Sequence, residues 1–258
     1  MLYLVPTPIG NLGDMTQRAL EILRSADIIA AEDTRRTRQL LAHFDIPCPR
    51  LVSYREHREA SAGTYLLGFL QEGKTVALCT DGGFPGISDP GYRLVTLAIE
   101  AGIPLNVLPG PSAVPVALVS SGLPTSSFTF KGYPPRKPGP RRRFLETEKE
   151  SAHTLVLYES PYRVAATLQS ALEALGDRRA AVCLELTKKF ESVTRGPLSQ
   201  LLATFRDRRI RGEATLVIEG KRGDEPPDAA ESEPDAESET GDEESDEENA
   251  LDNPHPLR

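Results

Sequence analysis

In the stretch LCTDGGFPGISDPG, residues 78–91, two aspartates and a serine, Asp81, Asp89 and Ser88, stand among Gly82, Gly83, Gly86, Pro85 and Pro90. Carboxylates can take up a proton or face a cation, and glycines let a backbone approach a ligand closely with its free amides turned outward. The apolar run KTVALC before the stretch reads as a buried strand. YRLVTLAIEAG after it, with Leu94, Leu97, Ala98 and Ala101 at helical spacing and Gly102 as a stop, reads as a helix. The acids therefore lie between a strand end and a helix start, where an open α/β sheet holds its ligand. An ornate turn is the alternative, but two acids and a serine at a strand exit are more than a turn needs.

Other strand exits repeat the arrangement. LYLVP runs into TPIGNLGDM, with Pro8 and Gly10, ahead of a helix TQRALEILRSAD that Asp14 or Thr16 would cap. The free amides at its start suit an anionic or carboxylate-bearing ligand. Gly10 and Gly13 do not form G-x-G-x-x-G, so the dinucleotide fingerprint is missing. DIIAAEDTRRTRQLLAHFDI places Glu32, Asp33, Thr34 and Arg35 at a second strand exit, where the acids either cap the helix or face a ligand. LVSYREHREA sets Glu56, His57, Arg58 and Glu59 after a third strand. His57 has no companions at metal-ligand spacing and reads as part of a solvated helix start. IPLNVLPGPSAVPVALVSSG gives a strand, a turn at Pro109 to Pro111 and an apolar helix beginning at Ser112 and Ala113.

A chain of 258 residues with 39% hydrophobic content is long enough for two compact domains, and it holds no apolar run of the about 20 residues a membrane helix needs. MLYLVPTPIG lacks the pattern of a secretory signal. Cys48, Cys79 and Cys183, widely spaced and odd in number, read as small buried hydrophobes of a reducing compartment, with neither a disulfide framework nor a metal set. A cytoplasmic protein without a metal or a membrane anchor is the expectation. The net charge of −8 averages two unlike parts: residues 1–223 carry 29 bases and 23 acids, a net +6, whereas from Asp224 onward 15 acids face Arg258 alone, a net −14. Residues 223–258, without aromatics, are expected to form a disordered acidic tail. The basic body suits a polyanionic partner.

Polarity rises near residues 123–127, which suggests an N-terminal α/β domain over 1–123 and a C-terminal α/β domain over 124–222. The latter opens with SFTFKGYPPRKPGPRRR, holding Lys131, Arg136, Lys137, Arg141, Arg142 and Arg143 with Tyr133 and no acid. Its prolines are expected to keep it extended, and the bases with a stacking aromatic would engage an RNA backbone and an unpaired base, unless the segment is a solvated linker or pairs with the acidic tail. The pattern then alternates: strand TLVLYE, helix RVAATLQSALEAL, strand AAVCLEL, a turn-bearing TKKFESVTRG, helix PLSQLLATF and strand ATLVIEG. Tyr158 and Glu159 close one of these strands, and Glu185, Thr187, Lys188, Lys189 and Glu191 follow another.

Taken in order, VPTPIGNLGD, AAEDTRRT, DGGFPGISDPG, LPGPSA, YESPYR, ELTKKFE and GEATLVIEG resemble the tetrapyrrole-methylase superfamily of S-adenosylmethionine-dependent methyltransferases over about residues 2–220. Within it, EDTR, SDPG, ESPYR and ELTK are most similar to the branch that 2'-O-methylates a cytidine of small-subunit (16S) ribosomal RNA. The resemblance implies a two-domain class III methyltransferase fold, a homodimer, and S-adenosylmethionine in the cleft between the domains. On matching positions the donor would meet Pro8 and Gly10, then Gly82, Phe84, Ile87 and Ser88, then Ser112 and Ala113, Tyr158 and Glu159, and Ala214 and Thr215. Two departures stand out: the family loop usually reads DAGTP, with a small polar residue where Phe84 stands and a larger apolar one at Gly86. Relatives also often carry a small helical domain where this chain has its acidic tail.

A methyl transfer to a ribose hydroxyl needs alignment and a base, and no metal. On the resemblance, Glu32, Asp33, Arg35, Lys188 and Glu191 would border the methyl, Lys188 or an acid taking the proton and Arg35 steering a phosphate. Lys188 could act so only if burial lowered its pKa. The alternatives are a tetrapyrrole methyltransferase of the same fold, a non-catalytic RNA-binding assembly factor, and an interaction protein working through its tail.

Overall fold

Short apolar strands, interleaved with helices whose apolar residues recur every three to four positions, build two sheets in the computed structural model, which describes residues 1–222. The acidic tail lies outside the described residues. The first sheet is wholly parallel, in the order β3-β2-β4-β1-β5, from β1 (Leu2–Leu4), β2 (Ile28–Ala31), β3 (Arg50–Ser53), β4 (Val76–Cys79) and β5 (Leu105–Val107). Helices α1 (Gln17–Ser25) and α2 (Thr34–His43) cover one face, burying Ala19, Leu23 and Leu41 against Ile29, Ala31, Ala77 and Cys79. Helices α3 (Glu59–Gln71) and α4 (Tyr92–Glu100) cover the other, where Leu66, Leu70, Leu94 and Ala98 meet Leu2, Leu4, Ala30 and Leu78. Buried on both faces, these strands are near-continuous in hydrophobicity, as a parallel sheet requires. Of the two capping candidates for α1, Thr16 does it, its hydroxyl accepting from the Ala19 N–H at 3.2 Å.

The second sheet is mixed, ordered β6-β7-β10-β8-β9, from β6 (Phe128–Phe130), β7 (Thr154–Glu159), β8 (Arg179–Leu184), β9 (Ser192–Pro197) and β10 (Ala214–Ile218). Only the β6–β7 pair is parallel. Its outer face packs against α6 (Pro138–Glu146), α7 (Val164–Leu175) and α8 (Leu198–Phe205) through Leu145, Leu168, Ala171, Leu201 and Phe205. Its inner face takes α5 (Ala113–Ser121): Val114, Ala117 and Leu118 pack on Val156, Ala181, Cys183 and Val217. Thus a helix that precedes residue 123 straps the first sheet's last strand to the second sheet.

Three local expectations fail. The basic, proline-rich segment is not extended throughout: Pro138 opens α6, since proline suits the first turn of a helix, and Arg141, Arg142 and Arg143 are helical. The segment read as a turn holds β9, an edge strand on β8 whose partly exposed SVTRGP shows little apolar alternation. Cys48 is exposed, although Cys79 and Cys183 are buried.

Candidate active site

The strands β1 and β4 are neighbours whose connections leave toward opposite edges of the sheet, the switch point at which such sheets open a crevice. Their exit loops are tied together: Thr7 and Gly83 exchange backbone hydrogen bonds of 3.0 and 2.8 Å, and Thr7 Oγ1 donates to the Thr80 carbonyl at 3.0 Å. Beyond them lies a cavity of about 450 Å³. The first sheet lines it with Pro8, Ile9 and Gly10 after β1, Glu32 and Arg36 after β2, and Asp81, Gly82, Gly83, Phe84, Ile87, Ser88 and Asp89 after β4. Ser112 and Ala113 line it at the start of α5, Tyr133 after β6, Tyr158 and Glu159 at the end of β7, Lys188 after β8, and Glu213, Ala214 and Thr215 around the start of β10. All twelve positions expected to meet a methyl donor are thereby on one surface.

Glycine is required at the seam. A Cβ on Gly10 would collide with Lys188 Cγ and come within 2.9 Å of Thr187 Oγ1, so the first loop touches the loop after β8 only because that position is bare. Backbone strain gathers on the same rim: Ser88, Glu185 and Thr187 hold φ angles of 61°, 51° and 65°, and a β-branched threonine in the left-handed region is unusual. Such strain is characteristic of ligand-holding loops.

The electrostatics separate the candidate groups. The Asp81 N–H donates to Glu32 Oε2 at 3.3 Å, the Asp33 N–H donates to Asp81 Oδ1 at 3.1 Å, and Arg36 Nη1 lies 3.3 Å from Asp81 Oδ2. Burial pushes Glu32 above the usual carboxylate range. Asp89 is pushed up to about 7, first by burial and then by the charges of Glu32, Asp81 and Glu213. It therefore exchanges a proton near neutrality. Lys188 Nζ lies 2.9 Å from Glu185 Oε1 and 2.8 Å from Glu213 Oε2. Burial acts downward on it but is outweighed by those two hydrogen bonds, and the pKa is raised. Lys188 is consequently held protonated, the opposite of what a lysine base requires.

Not every expected residue reaches the cavity. Arg35 closes back on Asp33 with contacts of 3.0 and 2.6 Å, while Asp33 caps α2 by accepting from the Arg35 N–H. Hydrogen bonds from the Arg35 side chain hold that carboxyl well below its ordinary range. Arg36, one residue further and a hundred degrees round the helix, enters instead. The Glu191 carboxylate accepts from the Thr187 N–H and braces the loop after β8. Glu159 lines the wall, but its buried carboxylate accepts from Ser160 N–H, Thr167 Oγ1 and Arg163 Nη2 at 2.7, 2.5 and 2.5 Å, so its charge is committed to the protein.

The basic segment divides. Lys131 sits over the Phe144 ring and bonds Thr147 and Glu148, and Arg141 is buried with its Nε on Ser170 Oγ at 3.0 Å. Arg136, Lys137, Arg142 and Arg143 are exposed, Arg142 pairing with Glu146. Tyr133, read as an RNA-stacking ring, lines the cavity against Tyr158, with ring centroids 5.6 Å apart. Sequence reading missed Arg36 and Glu213. The second stands one place before Ala214 in GEATLVIEG, and nothing but the antiparallel start of β10 aims it inward.

A sequence profile described as Tetrapyrrole (Corrin/Porphyrin) Methylases matches residues 1–202. The chain belongs to the tetrapyrrole methylase family. Among relatives, Ribosomal RNA small subunit methyltransferase I of Halalkalibacterium halodurans is 50% identical over 85% of this chain and 75% of its own length. The protein of that name from Bacillus subtilis (strain 168) is 44% identical over 87% of this chain and 77% of its own. The fold is shared with solved structures of far lower identity. Uroporphyrin-III-C-methyltransferase from Thermus thermophilus has a TM-score of 0.60 at 22% identity, covering 84% of this chain and 93% of that one. The methyltransferase CobJ has a TM-score of 0.62 at 17%, covering 85% and 93%.

Proposed function

We propose that this protein is an S-adenosylmethionine-dependent methyltransferase that modifies the 2'-hydroxyl of a cytidine in the 16S RNA of the small ribosomal subunit. The observation that carries the choice of substrate class is the 44–50% identity to relatives named as small-subunit ribosomal RNA methyltransferases; the uroporphyrin-III-C-methyltransferase and CobJ share the fold at 22% and 17% identity.

The cavity fits the donor. Bare Gly10, Gly82 and Gly83 bring main chain to its edge, Ile9, Phe84, Ile87 and Ala113 offer apolar surface for a flat base, and Glu32, Asp81 and Asp89 supply negative charge for a sulfonium and an ammonium. Bound there, S-adenosylmethionine would supply a methyl group on positively charged sulfur. Asp89 takes the proton leaving the ribose hydroxyl, because it is the half-buried carboxylate that titrates near neutral pH. Lys188, kept charged by Glu185 and Glu213, and Arg36 at the mouth meet phosphate oxygens. Asp33, Arg35 and Glu191 shape the loops that position these groups. No metal is assigned a step. Exposed Arg136, Lys137, Arg142 and Arg143 add attraction for the RNA backbone. A cytoplasmic homodimer, its two lobes divided near residue 123, completes the reading.

Incubation with isotope-labelled donor and either small-subunit RNA or a porphyrinoid, followed by mass spectrometry of digested RNA, tests it. The expected result is one methyl on a cytidine ribose. A label found on the porphyrinoid alone, or on neither, overturns the reading.

A further inference from the structure

Beside the donor cavity lies a second hollow of about 260 Å³ between α2 and the loop after β1, bordered by Leu12, Arg36, Gln39, Leu40, His43 and Thr80. The two hollows adjoin, since Pro8, Arg36 and Asp81 line both. Arg36, Leu40 and His43 stand at helical spacing on one side of α2, with Gln39 beside them. Leu12 faces this side across the gap and is exposed. Thr80 is only 4% exposed; its Oγ1 faces the Asp89 carboxyl without closing a hydrogen bond of normal geometry. The hydroxyl of its neighbour Thr7 is satisfied by the Thr80 carbonyl; among the described residues Thr187 Oγ1, on the loop after β8, is the other buried side-chain oxygen so left. A buried hydroxyl left without a partner at the edge of an open hollow marks a place for a polar ligand atom.

We propose that this hollow receives the base of the nucleotide being methylated, with its ribose over the shared residues Pro8, Arg36 and Asp81. The inference rests on the RNA reading above and adds which part of the protein recognises the target. Leu12 and Leu40 supply apolar surface for the two faces of a pyrimidine. The Gln39 amide, a donor and an acceptor side by side, can pair with the N3 and N4 edge of cytosine. The Thr80 hydroxyl offers a further bond. Arg35, Arg36 and Arg38 make α2 a basic helix, TRRTRQLLAH, with no acid along it, which suits the phosphates on either side of an extruded nucleotide.

The test uses the whole protein, its methyl donor and small-subunit RNA. Gln39→Ala and His43→Ala are surface changes that leave the fold intact. Gln39→Ala lowers kcat/KM for RNA by roughly tenfold or more, while donor affinity by calorimetry is unchanged. Thr80→Val weakens RNA turnover and Thr80→Ser, which keeps the hydroxyl, restores it. RNA carrying a photoreactive 4-thiopyrimidine at the methylated position crosslinks to Leu12 or to residues 36–43. If wild-type protein methylates RNA but these variants match it, or the crosslink falls on the second sheet, the hollow is not the base site and the functional reading stands. If wild-type protein methylates no RNA at all, both fall together.

Discussion

At the scale of single residues the decisive result is the sorting of carboxylates and cations by surroundings. Asp33 and Asp89 are the same side chain, but one lies in the grip of Arg35 and is held far down, and the other is half-buried among Glu32, Asp81 and Glu213 and rises to about 7. If Asp89 accepts the proton, turnover at saturating substrates increases with pH and levels off above about 7. Asp89→Asn is expected to lower kcat by about 10²-fold or more and to abolish that rise, read from single-turnover rates between pH 5.5 and 9. The stability consequence has a definite sign. The folded-state pKa is raised above an ordinary 3.8, so the protonated folded form is favoured, and this contribution, present at low pH, is lost as pH climbs from about 4 through about 7. Asp89→Asn should therefore gain melting temperature relative to wild type across that window; an equal difference at pH 4 and pH 8 would remove Asp89 from the role.

At the scale of elements, the loops matter through where they touch. Gly10 lets the β1 exit lie against Lys188 on the β8 exit, so Gly10→Val should reduce donor affinity at least tenfold while leaving the far-ultraviolet circular dichroism unchanged. Helix α6 offers a second case, because its arginines differ by a turn of geometry. Arg141 points inward to Ser170, whereas Arg142 and Arg143 are exposed. Arg141→Ala should cost about 1–3 kcal/mol of stability in urea unfolding with RNA affinity per folded molecule nearly unchanged. The double change Arg142→Ala with Arg143→Ala should do the reverse, weakening RNA binding and flattening its salt dependence.

Over the whole molecule, charge is divided along the chain: residues 1–223 are net +6 and the remainder net −14. The carboxylates of residues 224–258 carry the same sign of charge as RNA phosphates. Truncation after Gly223 is expected to retain or strengthen RNA affinity, with a steeper dependence on salt, measured by fluorescence polarisation from 50 to 300 mM salt. Loss of affinity on truncation would place the acidic segment among the groups that help RNA bind. The two sheets are joined by α5, which leaves the first and packs on the inner face of the second, and by the contact of the β1 exit with the loop after β8 at Gly10 and Lys188.

Local pattern by itself determined a good deal: apolar strands at fixed intervals, each released into glycine, proline and acid, announce strand exits and hence the ligand-bearing side of an α/β sheet. The ordered motifs carried that to twelve positions which share one cavity. Tertiary structure alone decided which charges face it. Helical rotation turned Arg36 in and Arg35 out, antiparallel pairing of β10 with β8 delivered Glu213 beside Lys188, and packing on Ser170 took Arg141 out of solvent. It also decided protonation, since a pKa reflects burial and neighbours tens of residues away: Glu32 and Glu213 act on Asp89, and Glu213 acts on Lys188, across separations that no local pattern encodes.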